Sequence, residues 1–284
     1  IRIVCEPIRE WRLPGDRDRV RLLAVTIALN LVYFKLDTVV LALTRDAQEV
    51  GWYGAPYRIL ELLINLGYLF LGLLLPLLAA AAKAQERDRF TAVLQRGFDA
   101  MTAATLPLLA VGAVLGEELM VLVAGPAFAG SGTLLAALLL ATAEILIAAV
   151  FGYGIVALGK QRQLIPVYAA NAAGATVAYL WLIPRFGAPA AAWLTVASEL
   201  VILIAVLTMT RRQLRWLPKL SVMFHATASA AIAASVMVLL PDWPVLLKIA
   251  AGGGSYLAVL QLLDGLPGKL LRQIAQPPPT GKNS

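Results

Sequence analysis

The chain has 284 residues, of which 60% are hydrophobic and 14% are charged, with a mean hydropathy of +0.78 and a formal net charge of +7. Soluble domains are typically about half apolar and about a quarter charged, so this composition excludes an ordinary soluble protein and indicates a polytopic membrane protein. The single cysteine, Cys5, excludes an intrachain disulfide and a cysteine metal cluster. The sequence shows no Ser-His-Asp set, Walker loop or dinucleotide glycine motif, so it predicts neither an enzyme nor a cofactor or metal site.

Eight segments are long and apolar enough to cross a bilayer, whose core needs roughly 20 residues of helix. They are residues 22–44, 56–82, 99–123, 133–158, 164–183, 189–210, 220–240 and 246–263. We therefore predict an all-α membrane protein with about eight transmembrane helices. The Pro-rich end of the chain, residues 266–284, is predicted to be a disordered tail.

The loops give an orientation, because Lys and Arg in short loops mark the cytoplasmic side. Nineteen of the 24 basic residues fall in residues 1–21, 83–98, 159–163 and 211–219 and in the tail, and three fall in the intervening loops or their edges, at Arg45, Arg185 and Lys248. This distribution predicts that both termini are cytoplasmic. It also explains the positive net charge without nucleic acid as a partner.

Among the ionisable residues inside the predicted spans, we single out six: Lys35, Asp37, Arg58, Glu61, Glu144 and Glu199. Charges at membrane depth are costly and usually face a bundle interior or a wet cavity, so each of them needs a partner or a role.

The first two spans are predicted to be neighbours because a short connection joins them. Asp37 and Arg58 fall at similar depths in the outer half of these spans, so we predict a structural ion pair between them that fixes helix register. Residues three, four and seven apart share a helix face, which places Arg58, Glu61 and Asn65 on one polar stripe of the second span. The stripe continues to Tyr68 and Gly72.

Lys35 is two residues from Asp37, about 200° around the helix, so it should face a different direction. One interpretation is a cation that lines a substrate cavity together with Arg58, Glu61 and Asn65. The other is a side chain that extends to the membrane surface.

Glu144 and Glu199 each fall near the middle of a predicted span. Either carboxyl group could be protonated and structural, bonded across a helix interface. Alternatively, either could bind Na⁺ or carry a proton that is coupled to transport.

A stretch of the first two spans, "LNLVYFKLDTVVLALTRDAQEVGWYGAPYRILELL", resembles the start of the second helical lobe of polysaccharide flippases. The matching residues are Tyr33, Asp37, Val50, Gly51, Tyr53, Ala55, Tyr57, Arg58 and Glu61. Further along, "EELMVLVAGPAFAGSGTLLAALLLA" and "ALGKQRQLIPVYAANAAGATVAYLWLIPRFGAPAAAWLTVASEL" are similar to later parts of the same lobe. These flippases belong to the multidrug/oligosaccharidyl-lipid/polysaccharide exporter superfamily.

The resemblance implies transport of undecaprenyl-pyrophosphate-linked oligosaccharide across the bacterial inner membrane, by alternating access of two six-helix lobes around a cationic cavity. Residues 22–215 would form the C-terminal lobe, and residues 216–265 would add two transmembrane helices. Residues 1–21 would then be a cytoplasmic linker from an N-terminal lobe that this chain lacks, so we expect the natural protein to continue upstream. Membrane lipids, that missing lobe and a polysaccharide polymerase are the implied partners besides the substrate.

Other functions stay open at this point. A lipid II flippase or a drug/cation antiporter of the same superfamily would share the fold, and the antiporter would depend on Glu144 and Glu199 rather than on Lys35. A membrane scaffold that transports nothing is the alternative from another class. An integral-membrane glycosyltransferase fits less well, since no loop is long enough for a catalytic domain.

Overall fold

The computed structural model describes residues 35–263, and these form seven helices. They are α1 (Leu36–Thr44), α2 (Ala47–Lys83), α3 (Arg87–Ala124), α4 (Gly132–Ala157), α5 (Leu164–Leu214), α6 (Ser221–Val238) and α7 (Val245–Leu262). Short 3-10 segments at Pro126–Ser131 and Gln161–Gln163 precede α4 and α5. The predicted linker, the predicted tail and most of the first predicted span lie outside the described residues.

Six helices of the described part of the chain are long and apolar enough to cross a membrane, with mean hydropathies between 1.5 and 2.5. Since residues 35–263 contain helices and no strand, the predicted class, an all-α polytopic membrane protein, is confirmed. Two helices are longer than predicted. The 37 residues of α2 and the 38 residues of α3 correspond to about 55 Å each, well beyond a bilayer core of about 30 Å. The hydropathy test missed their polar ends because it counts only the apolar part of a helix.

The helix α5 is a hairpin of two membrane-length halves that meet at Gly187. Gly187 has φ +67° and ψ −147°, which breaks the helix. The hydroxyl oxygens of Tyr179 and Thr195 lie 3.4 Å apart, whereas sixteen residues of straight helix would separate them by about 24 Å. At the other end of the hairpin, Gln213 contacts both Lys160 and Gln163. The two halves correspond to the predicted spans 164–183 and 189–210.

The turn at Gly187 is held by Glu49, near the start of α2. Glu49 Oε1 accepts a hydrogen bond of 2.8 Å from the backbone N–H of Ala188, the first residue of the second half of α5. The first N–H groups of a helix have no partner within it, so a carboxylate at this position stabilises the new helix start. Glu49 thereby connects α2 to the turn of α5.

The helix α4 is the centre of the bundle. In the apolar stretch of α4, 72% of the residues are buried. The corresponding fraction in the other membrane-length helices is 22–28%. It packs against α2, α3 and α5, and its side chains Leu138 and Phe151 are fully buried. A helix that is apolar all round is expected in such a position.

The helices α6 and α7 pack on each other and on α3. Alanines of α6, together with Met237, Tyr256 and Leu260, form an apolar cluster with Ala110 and Leu115 of α3. Two polar contacts join α7 to α3: Lys248 Nζ donates to both carboxylate oxygens of Glu118, at 2.9 and 3.0 Å, and Tyr256 donates to the carbonyl of Ala103. Lys248, which lies at the edge of the last predicted span, falls within α7 and is 4% exposed.

Polar contacts hold the connections at each end of the bundle. At the end that carries most Lys and Arg, which we call the basic end, Arg87 donates to the carbonyl of Leu214, and Gln95 bonds to the backbone of Lys219. At the opposite end, Trp52 Nε1 donates to the carbonyl of Ala127. The structure places the connections after α2, α4 and α5 at the basic end, and the prediction that this end is cytoplasmic stays a prediction.

Replacing Gly187 by Ala should weaken the α5 hairpin. A Cβ atom there would overlap the Glu49 carboxylate, and the backbone conformation is one that almost only glycine adopts. We expect a loss of about 1–3 kcal/mol in the free energy of unfolding. Thermal unfolding of the purified protein in detergent measures this, with Gly174→Ala as the control because its Cβ would meet nothing within 4 Å. Equal melting temperatures for the two variants would contradict the role of Gly187.

Glu118→Ala should destabilise the docking of α7, because it leaves the buried Lys248 ammonium without its carboxylate partner. Glu118 is 42% exposed, so water partly replaces it, and we expect a loss of about 1 kcal/mol. The double variant Glu118→Ala with Lys248→Met should regain stability, since it removes the unpaired charge. Denaturant unfolding of the three proteins tests this, and a double variant less stable than Glu118→Ala would disprove it.

Candidate functional site

A groove of about 450 Å³ lies between α1, α2 and the two halves of α5, with Ile145 of α4 behind it. The charged and polar side chains that line this central groove are Lys35, Asp37, Glu61, Asn65, Thr195, Ser198 and Glu199. Three tyrosines, Tyr57, Tyr68 and Tyr179, complete the polar part of its wall. The groove therefore gathers five of the seven residues that the sequence singled out.

An ion pair between Lys35 and Glu61 connects the start of α1 to α2. Lys35 Nζ donates to Glu61 Oε1 and lies 4.5 Å from the centre of the Tyr57 ring. The two side chains are 41% and 42% exposed, although Glu61 lies about 21 Å along α2 from its first residue. A half-exposed ion pair at this depth would be costly against lipid, so this face requires water or a polar partner.

Asp37 also lines the groove, but it makes a separate contact. Its Oδ2 accepts a hydrogen bond from the hydroxyl of Tyr53, and its Oδ1 accepts one of 2.6 Å from the backbone N–H of Thr38. Asp37 is 4% exposed and Tyr53 is fully buried. The prediction that Lys35 and Asp37 face different directions agrees with this arrangement, since one side chain meets Glu61 and the other meets Tyr53.

The structure does not bring Asp37 and Arg58 together, so the predicted ion pair is wrong. Arg58 is exposed and does not line the groove. The reason is rotational: Tyr53, Tyr57 and Glu61 are spaced by four and share the face of α2 that meets α1, whereas Arg58 lies about 100° further round. Because α2 begins at Ala47, Tyr53 lies within this helix. Its hydroxyl, rather than the Arg58 side chain, contacts Asp37. The spacing of four between Tyr53, Tyr57 and Glu61 is visible in the sequence.

The predicted polar stripe of α2 divides at this point. Glu61, Asn65 and Tyr68 line the groove, and Arg58 and Gly72 do not. Tyr68 is 39% exposed, so its ring forms an open part of the wall. Tyr179, Thr195 and Ser198 of α5 lie opposite, and the sequence had not marked them because single hydroxyls are common in transmembrane helices.

The structure separates the two mid-span carboxylates. Glu199 lines the groove, whereas Glu144 is buried on α4, and its side chain is 8% exposed. The Oε2 atom of Glu144 has no hydrogen-bond partner among the described residues. Residues 35–263 contain no group of three or more His, Cys, Asp or Glu that could hold a metal ion.

The charge of the groove differs from the cationic cavity that the resemblance implies. Among the described lining residues, Lys35 is the one cation, and it is paired with Glu61; Asp37 and Glu199 add two more carboxylates. The formal charge of this wall is therefore negative when all of these groups are ionised.

Comparison with known proteins does not identify a family. A scan against protein-family models finds no match, and a search of curated proteins finds no significant match. The likeness to polysaccharide flippases rests on the residues quoted above, and function is inferred from the geometry of the groove.

Removing the Tyr53 hydroxyl should destabilise the contact between α1 and α2. The variant Tyr53→Phe leaves the buried Asp37 carboxylate without one of its donors, and we expect a loss of about 1–3 kcal/mol in the free energy of unfolding. Thermal unfolding in detergent measures the change, and Tyr153→Phe on α4 controls for loss of a tyrosine hydroxyl elsewhere in the bundle. The variant Tyr53→Phe with Asp37→Leu should be more stable than Tyr53→Phe alone. An unchanged melting temperature for Tyr53→Phe would show that the hydrogen bond contributes nothing.

Proposed function

We propose that this protein moves a lipid-linked oligosaccharide across a membrane, as the polysaccharide flippases that it resembles do. The observation that supports this most is the half-exposed Lys35–Glu61 pair in the wall of a polar groove at membrane depth. Such a groove gives a hydrated path to a headgroup that cannot cross hydrocarbon.

The outside of the same helix suits the lipid part of such a substrate. Leu62, Leu66, Leu69 and Leu73 of α2 are all more than half exposed. One helix thus presents a polar stripe to the groove and an apolar surface to its surroundings. A headgroup in the groove and a polyprenyl tail in the bilayer would both be solvated as they move.

The proposal extends to location and partners. We infer a bacterial inner membrane protein with both ends of the chain in the cytoplasm, because the Lys and Arg residues concentrate in alternate loops. A second helical lobe, as the resemblance implies, would face the groove and complete a cavity around the substrate. Alternating access would then expose this cavity to each side in turn, and a polysaccharide polymerase would use the product.

A drug/cation antiporter is the second function that a specific observation favours. Glu199 faces the groove, and the Glu144 carboxylate behind it has an oxygen without a hydrogen-bond partner among the described residues. Carboxylates at such positions exchange protons or bind cations in transporters. In that case Glu199, rather than Lys35, would be essential.

The variant Lys35→Ala should abolish glycan export while the protein still inserts into the membrane. Lys35 fixes Glu61 and contributes the one described cation of the groove wall, so its loss changes both charge and shape there. Export is measured by restoring surface polysaccharide in a bacterial strain that lacks its own copy of the gene, with protein level in the membrane fraction measured in parallel. Lys160→Ala at the basic end is the matched control.

Full export by Lys35→Ala would contradict the role of this residue. Resistance to organic cations that depends on Glu199 and persists in Lys35→Ala would favour the antiporter instead. These two results distinguish the proposed functions in one set of strains.

A further inference from the structure

We propose that the central groove is a subsite for the uncharged sugar rings of the substrate, and that the pyrophosphate is held elsewhere. This inference rests on the proposed function and names the part of the substrate that this lobe would bind. It reverses the expectation that Lys35 attracts the phosphate groups.

The described wall of the groove offers a pyrophosphate no unpaired cation. The Lys35 ammonium is already bonded to Glu61 and lies over the Tyr57 ring, so an anion would have to displace a carboxylate to reach it. An anion there would also meet the Asp37 and Glu199 carboxyl groups, which line the same space and supply no positive charge.

The hydrogen-bonding groups of the groove suit hydroxyl groups better than phosphate. Thr195 donates its hydroxyl proton to the carbonyl of Ala191, and Ser198 donates to the carbonyl of Thr195. Both hydroxyl oxygens therefore offer lone pairs to a ligand, as the Glu199 carboxylate does. A phosphate presents only acceptors and needs donors, whereas a sugar hydroxyl donates to these oxygens and accepts from Asn65 or Lys35.

The tyrosines provide the apolar part of a sugar site. Tyr68 is 39% exposed in the groove wall, next to Asn65 on the same face of α2. The C–H groups on one side of a sugar ring are weakly positive and stack on the negative face of an aromatic ring. The cavity of about 450 Å³ falls in the range of small-molecule sites, about 300–1,000 Å³.

An organic cation is the main competitor for the same groove. Aromatic faces and carboxylates attract cations, but Lys35 already occupies one such place beside Tyr57 and Glu61. A quaternary ammonium has no hydrogen-bond donor or acceptor, so it would make no use of the Asn65 amide or of the lone pairs of Thr195 and Ser198. The mixed set of donors and acceptors therefore favours a neutral, hydroxylated ligand.

The experiment measures binding by the full chain in phospholipid nanodiscs, because many detergents themselves carry sugars. The probes are three neutral disaccharides (lactose, maltose and N,N′-diacetylchitobiose), inorganic pyrophosphate and tetraethylammonium. Saturation-transfer difference NMR detects contact, and titration calorimetry gives Kd. We expect at least one disaccharide to bind and neither ion to displace it.

Two variants on one helix test the role of Tyr68. Tyr68→Ala should weaken disaccharide binding roughly tenfold, and Tyr68→Phe should restore it because the ring remains. Phe70→Ala is the matched control: Phe70 is 37% exposed, against 39% for Tyr68, but it lines a different, apolar cleft between α2 and α3. Melting temperatures confirm that each variant is folded.

Three results would overturn the inference. They are pyrophosphate binding that is lost in Lys35→Gln, displacement of the disaccharide by tetraethylammonium, and no disaccharide binding by the folded protein. Each of these differs from failure of the proposed function. Disaccharide binding without glycan export in cells would contradict the flippase but keep the sugar subsite, whereas glycan export by a protein that binds no disaccharide would contradict the subsite but keep the flippase.

Discussion

The rest of the structure depends on one constraint: a charge in an apolar helix must find a partner or face water. Two residues at the start of α1 satisfy this constraint in different ways. Asp37 is buried and bonded to Tyr53, which fixes α1 against α2, while Lys35 pairs with Glu61 on the open side. Because both contacts join the same two helices, they set the rotation of α1 as well as its position. The result is one buried contact between α1 and α2 and one exposed polar contact between them, and the polar contact forms part of the wall of the groove.

The opposite wall exists because α5 turns back on itself. Gly187 allows the turn, and Glu49 of α2 bonds to the N–H of Ala188 at the new helix start. The turn brings Thr195, Ser198 and Glu199 alongside Tyr179 and opposite the polar stripe of α2. The same glutamate thus connects the two walls at one end of the bundle. Behind them, the buried helix α4 fills the core, and α6 and α7 pack on α3, on a side of the bundle that contributes nothing to the groove.

The composition of the groove narrows the chemistry that it can perform. The groove surface contains one paired ammonium, further carboxylates, hydroxyl oxygens with free lone pairs and an exposed tyrosine ring. Such a surface accepts hydrogen bonds more than it donates them. Neutral hydroxylated ligands fit such a surface, and polyanions do not. If a phosphate headgroup crosses the membrane next to this helical bundle, its counter-charges must come from a surface other than the groove. Glu144 is buried on α4 and does not line the groove, so it does not contact a ligand there.

The sequence by itself determined the class, most helix positions and the six residues whose charge needed an explanation. Hydropathy and loop charge suffice for this because lipid imposes the same cost on every exposed polar group. It also placed Glu61, Asn65 and Tyr68 on one face of a helix. Only the tertiary structure decided the partners: Tyr53 rather than Arg58 for Asp37, Glu61 for Lys35, and Glu118 for Lys248. A helix has a known periodicity but no fixed rotation or shift against its neighbour, so several residues of similar depth compete for one charge. Packing across all the helices makes that choice, and it places one cation and three carboxyl groups along the described wall of the groove, where the likeness to flippases implies a cationic cavity.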